Sequence, residues 1–162
     1  MQQNDIIAFN LGGSVYAYIN IYKDEPIFHI RKYIISKNAK FYPTKIGISM
    51  KEDRFATFVD KLDEIKHAVD KVRGNFFGEY ERKIHVGAGL NVLLESGWQN
   101  INFRYFFLPE GQDDAVPSRS GIAINFKQWD ELLKDFEQIK NPPMQSYAML
   151  FRAIVVPTTI VR

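Results

Sequence analysis

Tyr16, Tyr18, Asn20 and Tyr22 alternate with Val15, Ala17, Ile19 and Ile21. A strict period of two predicts a strand with one apolar face and one aromatic, polar face. Lys23-Asp24-Glu25 turns the chain. A second strand follows, with Phe28 and Ile30 on one side and His29, Arg31 and Tyr33 on the other. If the two strands pair in register, rings and cations share one sheet face. Such rings stack on unpaired bases at about 1–3 kcal/mol per base, while Arg and Lys follow the phosphates. A duplex hides its base faces, so the expected ligand is a single strand. The same tyrosines could equally be cross-strand pairs that only stabilise a sheet.

Charge is distributed to match the first of these readings. From Arg31 to Lys45 the chain carries Arg31, Lys32, Lys37, Lys40 and Lys45 and no acid. A basic hairpin is the electrostatic footprint of a phosphate backbone, although a lysine-rich loop also keeps a protein soluble. Lys23, at the preceding turn, extends the same cationic set.

The chain then repeats itself. His29-Ile30-Arg31-Lys32-Tyr33 precedes Pro43-Thr44-Lys45-Ile46-Gly47-Ile48, and Phe55 follows; Asn102-Phe103-Arg104-Tyr105-Phe106 precedes Pro117-Ser118-Arg119-Ser120-Gly121-Ile122, and Trp129 follows. A strand, a Pro-x-basic-x-Gly-Ile turn and an aromatic-led helix in the same order twice point to one structural unit built twice. Two copies cannot make a solenoid, so a fused pseudo-dimer is expected. The second copy offers Asn102, Arg104, Phe106, Phe107, Arg119 and Trp98 as a second groove. Its loop carries Glu110, Asp113 and Asp114 where the first copy has lysines.

Each copy reads as four strands and a helix. Gly12-Gly13 and Gly87-Ala88-Gly89 mark the first hairpin turns. Ser49 and Glu52 have capping-box spacing before a helix whose Phe55, Phe58, Leu62, Ile65, Val69 and Val72 form an apolar stripe ended by Gly74. Asn125 and Gln128 offer a related cap ahead of Trp129, Leu132, Leu133, Phe136 and Ile139, and Pro142-Pro143 stops that helix. The joint Gly74-Asn75-Phe76-Phe77-Gly78 is too short and apolar for a free linker, so the halves should pack together. The expected domains are 5–74, 79–141 and an apolar extension, 142–162.

Composition excludes several classes. The 162 residues are 46% hydrophobic and 25% charged, too apolar for disorder. There is no cysteine, hence no disulfide, thiolate zinc site or cysteine nucleophile. His29, His67 and His85 lack metal-ligand spacing, and Gly87-Ala88-Gly89 lacks the rest of a phosphate-binding loop. No catalytic constellation is visible, so a non-enzyme without cofactors or metal is expected. The N-terminus does not read as a signal peptide and no apolar run spans a bilayer, which predicts an intracellular soluble protein.

Phe9-Asn10-Leu11-Gly12, Tyr16 to Tyr22, Ile30-Arg31-Lys32-Tyr33 and Pro43-Thr44-Lys45-Ile46-Gly47-Ile48-Ser49, followed by an aromatic-led helix, resemble the single-stranded-DNA-binding domain of the transcriptional coactivator called positive cofactor four. The second copy resembles it from Asn102 onward, with Gln128-Trp129 at the helix start; its first hairpin is shorter by two. Two such units in one chain are also similar to the Whirly proteins. The resemblance implies an α+β fold of two ββββα repeats with curved antiparallel sheets and packed helices. It implies binding of unpaired DNA in replication, recombination, repair or transcription. The chain departs from the family pattern at Ile46 and Ser120, where a lysine precedes the turn glycine, and at Ile34 and Phe107, where a tryptophan is usual.

Single-stranded DNA is therefore the expected partner, with RNA as the alternative strand because stacking does not read the sugar. A coactivator working mainly through protein contacts with transcription or replication machinery is the other class, and further homo-oligomerisation would suit either. No membrane partner is expected.

Overall fold

Two successive hairpins build one sheet, and the later pair repeats the arrangement. The computed structural model describes residues 7–138; the extension 142–162, Ile139 and the Pro142-Pro143 stop lie outside the described residues. Strands β1 (Ile7–Gly12), β2 (Val15–Tyr22), β3 (Glu25–Ile35) and β4 (Phe41–Met50) form one antiparallel sheet in chain order. Strands β5 (Glu81–Gly87), β6 (Leu90–Glu95), β7 (Asn100–Phe107) and β8 (Val116–Asn125) form a second in the same order. Helices α1 (Glu52–Asp60) and α2 (Leu62–Val72) follow the first sheet, and α3 (Phe126–Gln138) follows the second. The described residues are thus α+β, with two four-stranded antiparallel sheets and three helices.

The repetition reaches individual hydrogen bonds. Gly12 pairs with Val15 and Gly87 with Leu90, so Gly13-Ser14 and Ala88-Gly89 are equivalent two-residue turns with positive φ. Their backbones twist with the strands, the condition for a tight hairpin. Both third strands shift register one step past an arginine, between Arg31 and Tyr33 and between Arg104 and Phe106. Beyond that bulge, Tyr33 N–H donates to Ser14 C=O at 2.8 Å and Phe106 N–H to Gly89 C=O at 2.7 Å.

Each half holds the other's helix. Arg54 of α1 donates from Nε to Gly87 C=O at 3.2 Å and from Nη2 to Ala88 C=O at 2.9 Å. Reciprocally, Gln128 of α3 donates to Gly12 C=O at 2.8 Å. One apolar core runs through both halves. At its centre Phe58 of α1 meets Phe103 of β7 with ring centroids 6.0 Å apart, and Phe28 of β3 meets Phe136 of α3 at 5.9 Å. Burying a side chain of this kind is worth about 1.5–3 kcal/mol, so neither half keeps its full core alone. The halves pack together as expected, although the joint itself is not buried: Phe77 is 99% exposed.

The first copy ends in two helices rather than one. The stripe Phe55, Phe58, Leu62, Ile65, Val69 and Val72 is buried throughout, but the helix is interrupted at Lys61, whose ψ opens to 0°. Ser49 does not cap α1. Its hydroxyl is taken by His29 and Arg31, and Lys51 holds the cap position without a side-chain bond. Asn125 and Gln128 do complete a reciprocal cap on α3, with both bonds at 2.8 Å. Ile21 is exposed rather than core-facing, because β2 and β3 run past the core at their shared turn. The Pro-x-basic-x-Gly-Ile segments, read as turns, lie inside the strands β4 and β8, which begin at Phe41 and Val116.

Candidate nucleic-acid interface

The outer face of the first sheet is built by register. Tyr16 sits opposite Arg31, Tyr18 opposite His29, His29 opposite Ser49, and Arg31 opposite Gly47. A methyl group on Gly47 would stand 2.8 Å from Arg31 Cζ and 2.9 Å from Arg31 Cβ. The guanidinium therefore lies flat across the glycine, which gives the repeated arginine-to-glycine spacing its physical reason. The second sheet repeats this: Arg104 is opposite Gly121, and a Cβ there would stand 3.1 Å from Arg104 Cζ. Each arginine is tied by one nitrogen to a backbone carbonyl of the neighbouring strand, Arg31 to Thr44 and Arg104 to Arg119, both at 3.0 Å.

A polar chain crosses the first face. Arg31 Nη2 donates to Ser49 Oγ at 3.1 Å, and Ser49 Oγ lies 2.8 Å from His29 Nδ1. His29 Nε2 lies 2.8 Å from Asn20 Oδ1. With the Arg31 proton aimed at its oxygen, the serine donates to Nδ1, and the imidazole is neutral with its proton on Nε2. Burial, and secondarily the Arg31 charge, pull its pKa from 6.5 to about 4. In the second sheet Asn102 replaces the histidine, and its Oδ1 accepts from Arg104 Nε and Nη2 at 3.2 and 3.0 Å.

The tyrosine face is not an open platform. Tyr16 and Tyr18 are 8% and 6% exposed. Tyr33 crosses both edge-on, at 5.5 and 5.8 Å, and Phe41 crosses Tyr16 at 5.9 Å. His29 stacks on Tyr18 at 4.6 Å. Tyr16 and Tyr18 form a second small core, roofed by Tyr33 and Phe41. Alternation keeps Arg31 and Tyr33 on one face, and past the bulge, where Thr44, Lys45 and Ile46 of β4 lie opposite Lys32 alone, the distal hairpin covers these rings. Burial first, then its contacts with Tyr18, hold the Tyr33 phenol well above its ordinary range.

The remaining expected residues fall at two ends of the sheets. Tyr22 and Lys23 are exposed at the β2–β3 turn, with the Lys23 ammonium 5.4 Å from the Tyr22 ring centroid. Trp98 is exposed at the corresponding β6–β7 turn. Lys37, Lys40 and Lys45 are exposed on the β3–β4 hairpin, and Phe107 and Arg119 on the β7–β8 hairpin. Asn20, His29, Arg31, Tyr33, Asn102, Arg104 and Phe106 are half-buried between these ends. The structure therefore brings together His29, Arg31, Asn20 and Tyr33, and separates Trp98 from Phe107 by the length of β7.

Residues beyond the expected set join the surface. Ile34, Ile35, Tyr42 and Ile46 are exposed on the β3–β4 hairpin beside Lys32 of the cationic run. No acid lies between Glu25 and Glu52, a longer run that could have flagged Lys51 as well. Lys51 is partly compensated by Glu25 at 3.5 Å. Lys83 of β5 stands 5.3 Å from the Phe106 ring centroid; its period-two alternation with Glu81 and His85 carried no signal of that contact. Among the described residues no group of acids and histidines is arranged to hold a metal ion, and no helix is long and apolar enough to cross a membrane.

No family model matches this chain, and no curated protein matches it.

Proposed function

We propose that this protein binds single-stranded DNA without strong sequence preference, through the outer sheet faces and their projecting hairpins, on a tandem Whirly-like scaffold. The observation that carries the reading is the β3–β4 hairpin. It presents Lys32, Lys37, Lys40 and Lys45 beside exposed Tyr42, Ile34 and Ile46. Arg31 and Tyr33 stand at its base, with no acid from Pro26 to Met50. Cations can follow a backbone while rings and flat apolar groups take base faces. The second half supplies Arg104, Arg119, Lys83, Phe106 and Phe107 in equivalent or adjoining places, with fewer cations and an acidic loop. It contributes a weaker groove. The protein acts by binding rather than by catalysis, in replication, recombination, repair or transcription.

A protein-contact role has one observation in its favour: Phe107 and Leu108 are exposed beside Glu110, Asp113 and Asp114. The deciding experiment is fluorescence anisotropy of labelled oligo-dT across a salt series, with duplex and RNA of equal length as competitors. Log K should fall with log salt at about −0.7 per phosphate neutralised, and oligo-dT should outcompete duplex. Equal competition by RNA would move the assignment to an RNA chaperone. Absence of binding at low salt would remove nucleic acid from the reading and leave the protein-contact role.

A further inference from the structure

The outer face of the second sheet holds a cleft of about 370 Å³ at its turn end, lined by Leu93, Glu95, Trp98, Asn100, Asn102 and Ala123. Its size falls within the roughly 300–1,000 Å³ of small-ligand sites. Register explains the lining. Leu93 pairs with Asn102 and Asn102 with Ala123, so their side chains share one face; Glu95 and Asn100, two positions along, lie on the same face. Trp98 closes the turn, its N–H donating to Glu95 C=O at 3.1 Å. The indole is 62% exposed and stands beside the apolar floor of Leu93 and Ala123.

The polar groups here suit one chemistry. Asn102 Oδ1 is occupied by Arg104, which leaves its Nδ2 protons as donors. Glu95 is exposed and makes no ion pair among the described residues. A carboxylate accepts two parallel N–H bonds. Among the nucleobases only guanine presents adjacent N–H donors, N1 and N2, beside an acceptor, O6. Thymine flanks its one N–H with two carbonyl oxygens that a carboxylate repels, and adenine and cytosine each offer one amine next to a ring acceptor. Cations stand on the same face: Lys83 pairs with Leu93, and Arg104 adjoins Asn102. They can meet the phosphates that Glu95 repels.

We propose that this cleft is a pocket for one unpaired guanine, stacked on Trp98 and read by the Glu95 carboxylate with Asn102 donating to O6. The inference rests on the nucleic-acid reading and adds base choice at one point of an otherwise tolerant surface. The test compares oligo-dT with the same oligonucleotide carrying a single central guanine, adenine or cytosine, using the full chain, its Glu95→Gln variant and its Trp98→Phe variant. Trp129 is buried, so indole quenching on addition of dGMP reports on Trp98. Guanine should tighten binding about tenfold, the scale of one good bidentate contact, and Glu95→Gln should bring all four oligonucleotides within about twofold of one another. Quenching by dGMP should exceed that by dAMP, dCMP or dTMP and vanish in Trp98→Phe. Oligo-dT binding with no guanine advantage and no selective quenching would overturn the pocket and leave the proposed function standing. Selective quenching without binding of any oligonucleotide would keep the pocket as a guanine nucleotide site and overturn the strand-binding reading.

Discussion

The Tyr105 hydroxyl takes both backbone polar groups of Ser49, accepting from its N–H at 2.9 Å and donating to its C=O at 3.2 Å. Tyr105 lies in β7 and Ser49 in β4, so a side chain of one sheet satisfies a stretch of strand edge in the other. Tyr105→Phe removes both bonds while keeping the ring, which also stands 5.5 Å from the Arg54 guanidinium. Ser49 C=O retains its bond from Arg54 at 2.9 Å, so the loss concentrates on the amide. The expected cost is about 1–3 kcal/mol, the range for leaving a buried donor unpaired. Urea denaturation should show a lower midpoint with an unchanged slope.

The tyrosines of β2 and β4 should separate structural from ligand-facing roles. Tyr16→Ala or Tyr18→Ala opens the small core under Tyr33 and Phe41 and should cost about 3–5 kcal/mol, as for other large buried aromatics. Tyr42→Ala touches an exposed ring and should change stability by no more than about 0.5 kcal/mol. The same Tyr42 variant should lose about 1–3 kcal/mol of oligo-dT affinity if its ring stacks on a base. Denaturation and anisotropy on the same three proteins check both halves of the expectation.

Gly47→Ala tests the flat seat of Arg31. The new methyl would meet Arg31 Cζ and Ile30 O, both at 2.8 Å, and the backbone carbonyl cannot move away without disturbing the ladder. A loss of about 1–3 kcal/mol is expected, the usual scale of overpacking. Thermal unfolding of Gly47→Ala beside Tyr42→Ala would read it; equal melting temperatures would show that the guanidinium swings clear at no cost.

Two groups give stability opposite dependences on pH. The His29 pKa is lowered to about 4 from 6.5. Between these values the unfolded chain binds a proton that the folded chain does not, so stability is full above about 6.5 and falls as pH drops toward 4. Asp135 behaves inversely. Burial, with Glu131 nearby, raises its pKa to about 6 from 3.8. Its contribution is full below 3.8 and is lost as pH rises toward 6. The wild-type profile from pH 4 to 6 should therefore be flatter than either group alone would make it. His29→Gln should leave a protein whose stability rises on acidification through that window, and Asp135→Asn one whose stability falls. Denaturation midpoints at several pH values distinguish the three curves.

Much of the scaffold was legible in the sequence because local patterns sufficed. Period-two alternation located β2 and β3; the helical stripes located the buried faces of α1, α2 and α3; the Asn125–Gln128 cap marked the start of α3. The repeat itself could be read because the arginine-over-glycine contact demands the same residue types at equivalent register positions in both sheets. Local pattern misled where a distant segment had a stronger claim. Ser49 has the spacing of a cap, but His29 and Arg31, brought beside it by strand pairing, take its hydroxyl.

What the chain determined by itself was therefore the set of strands, their order, the helical stripes that follow them, and which residues face alternate sides of each strand. Tertiary structure decided which of two faces is open. Tyr16, Tyr18 and Tyr22 carry the same alternation signal, yet Tyr16 and Tyr18 are buried and Tyr22 is 58% exposed. The difference comes from Tyr33 and Phe41, carried past the β4 bulge on a hairpin whose return over the sheet no local periodicity encodes. The exchange of helix contacts, with Arg54 on the Gly87-Ala88 turn and Gln128 on Gly12, was likewise invisible. A strand's alternation records that a side chain turns inward or outward, while burial depends on what else in the chain arrives to cover it.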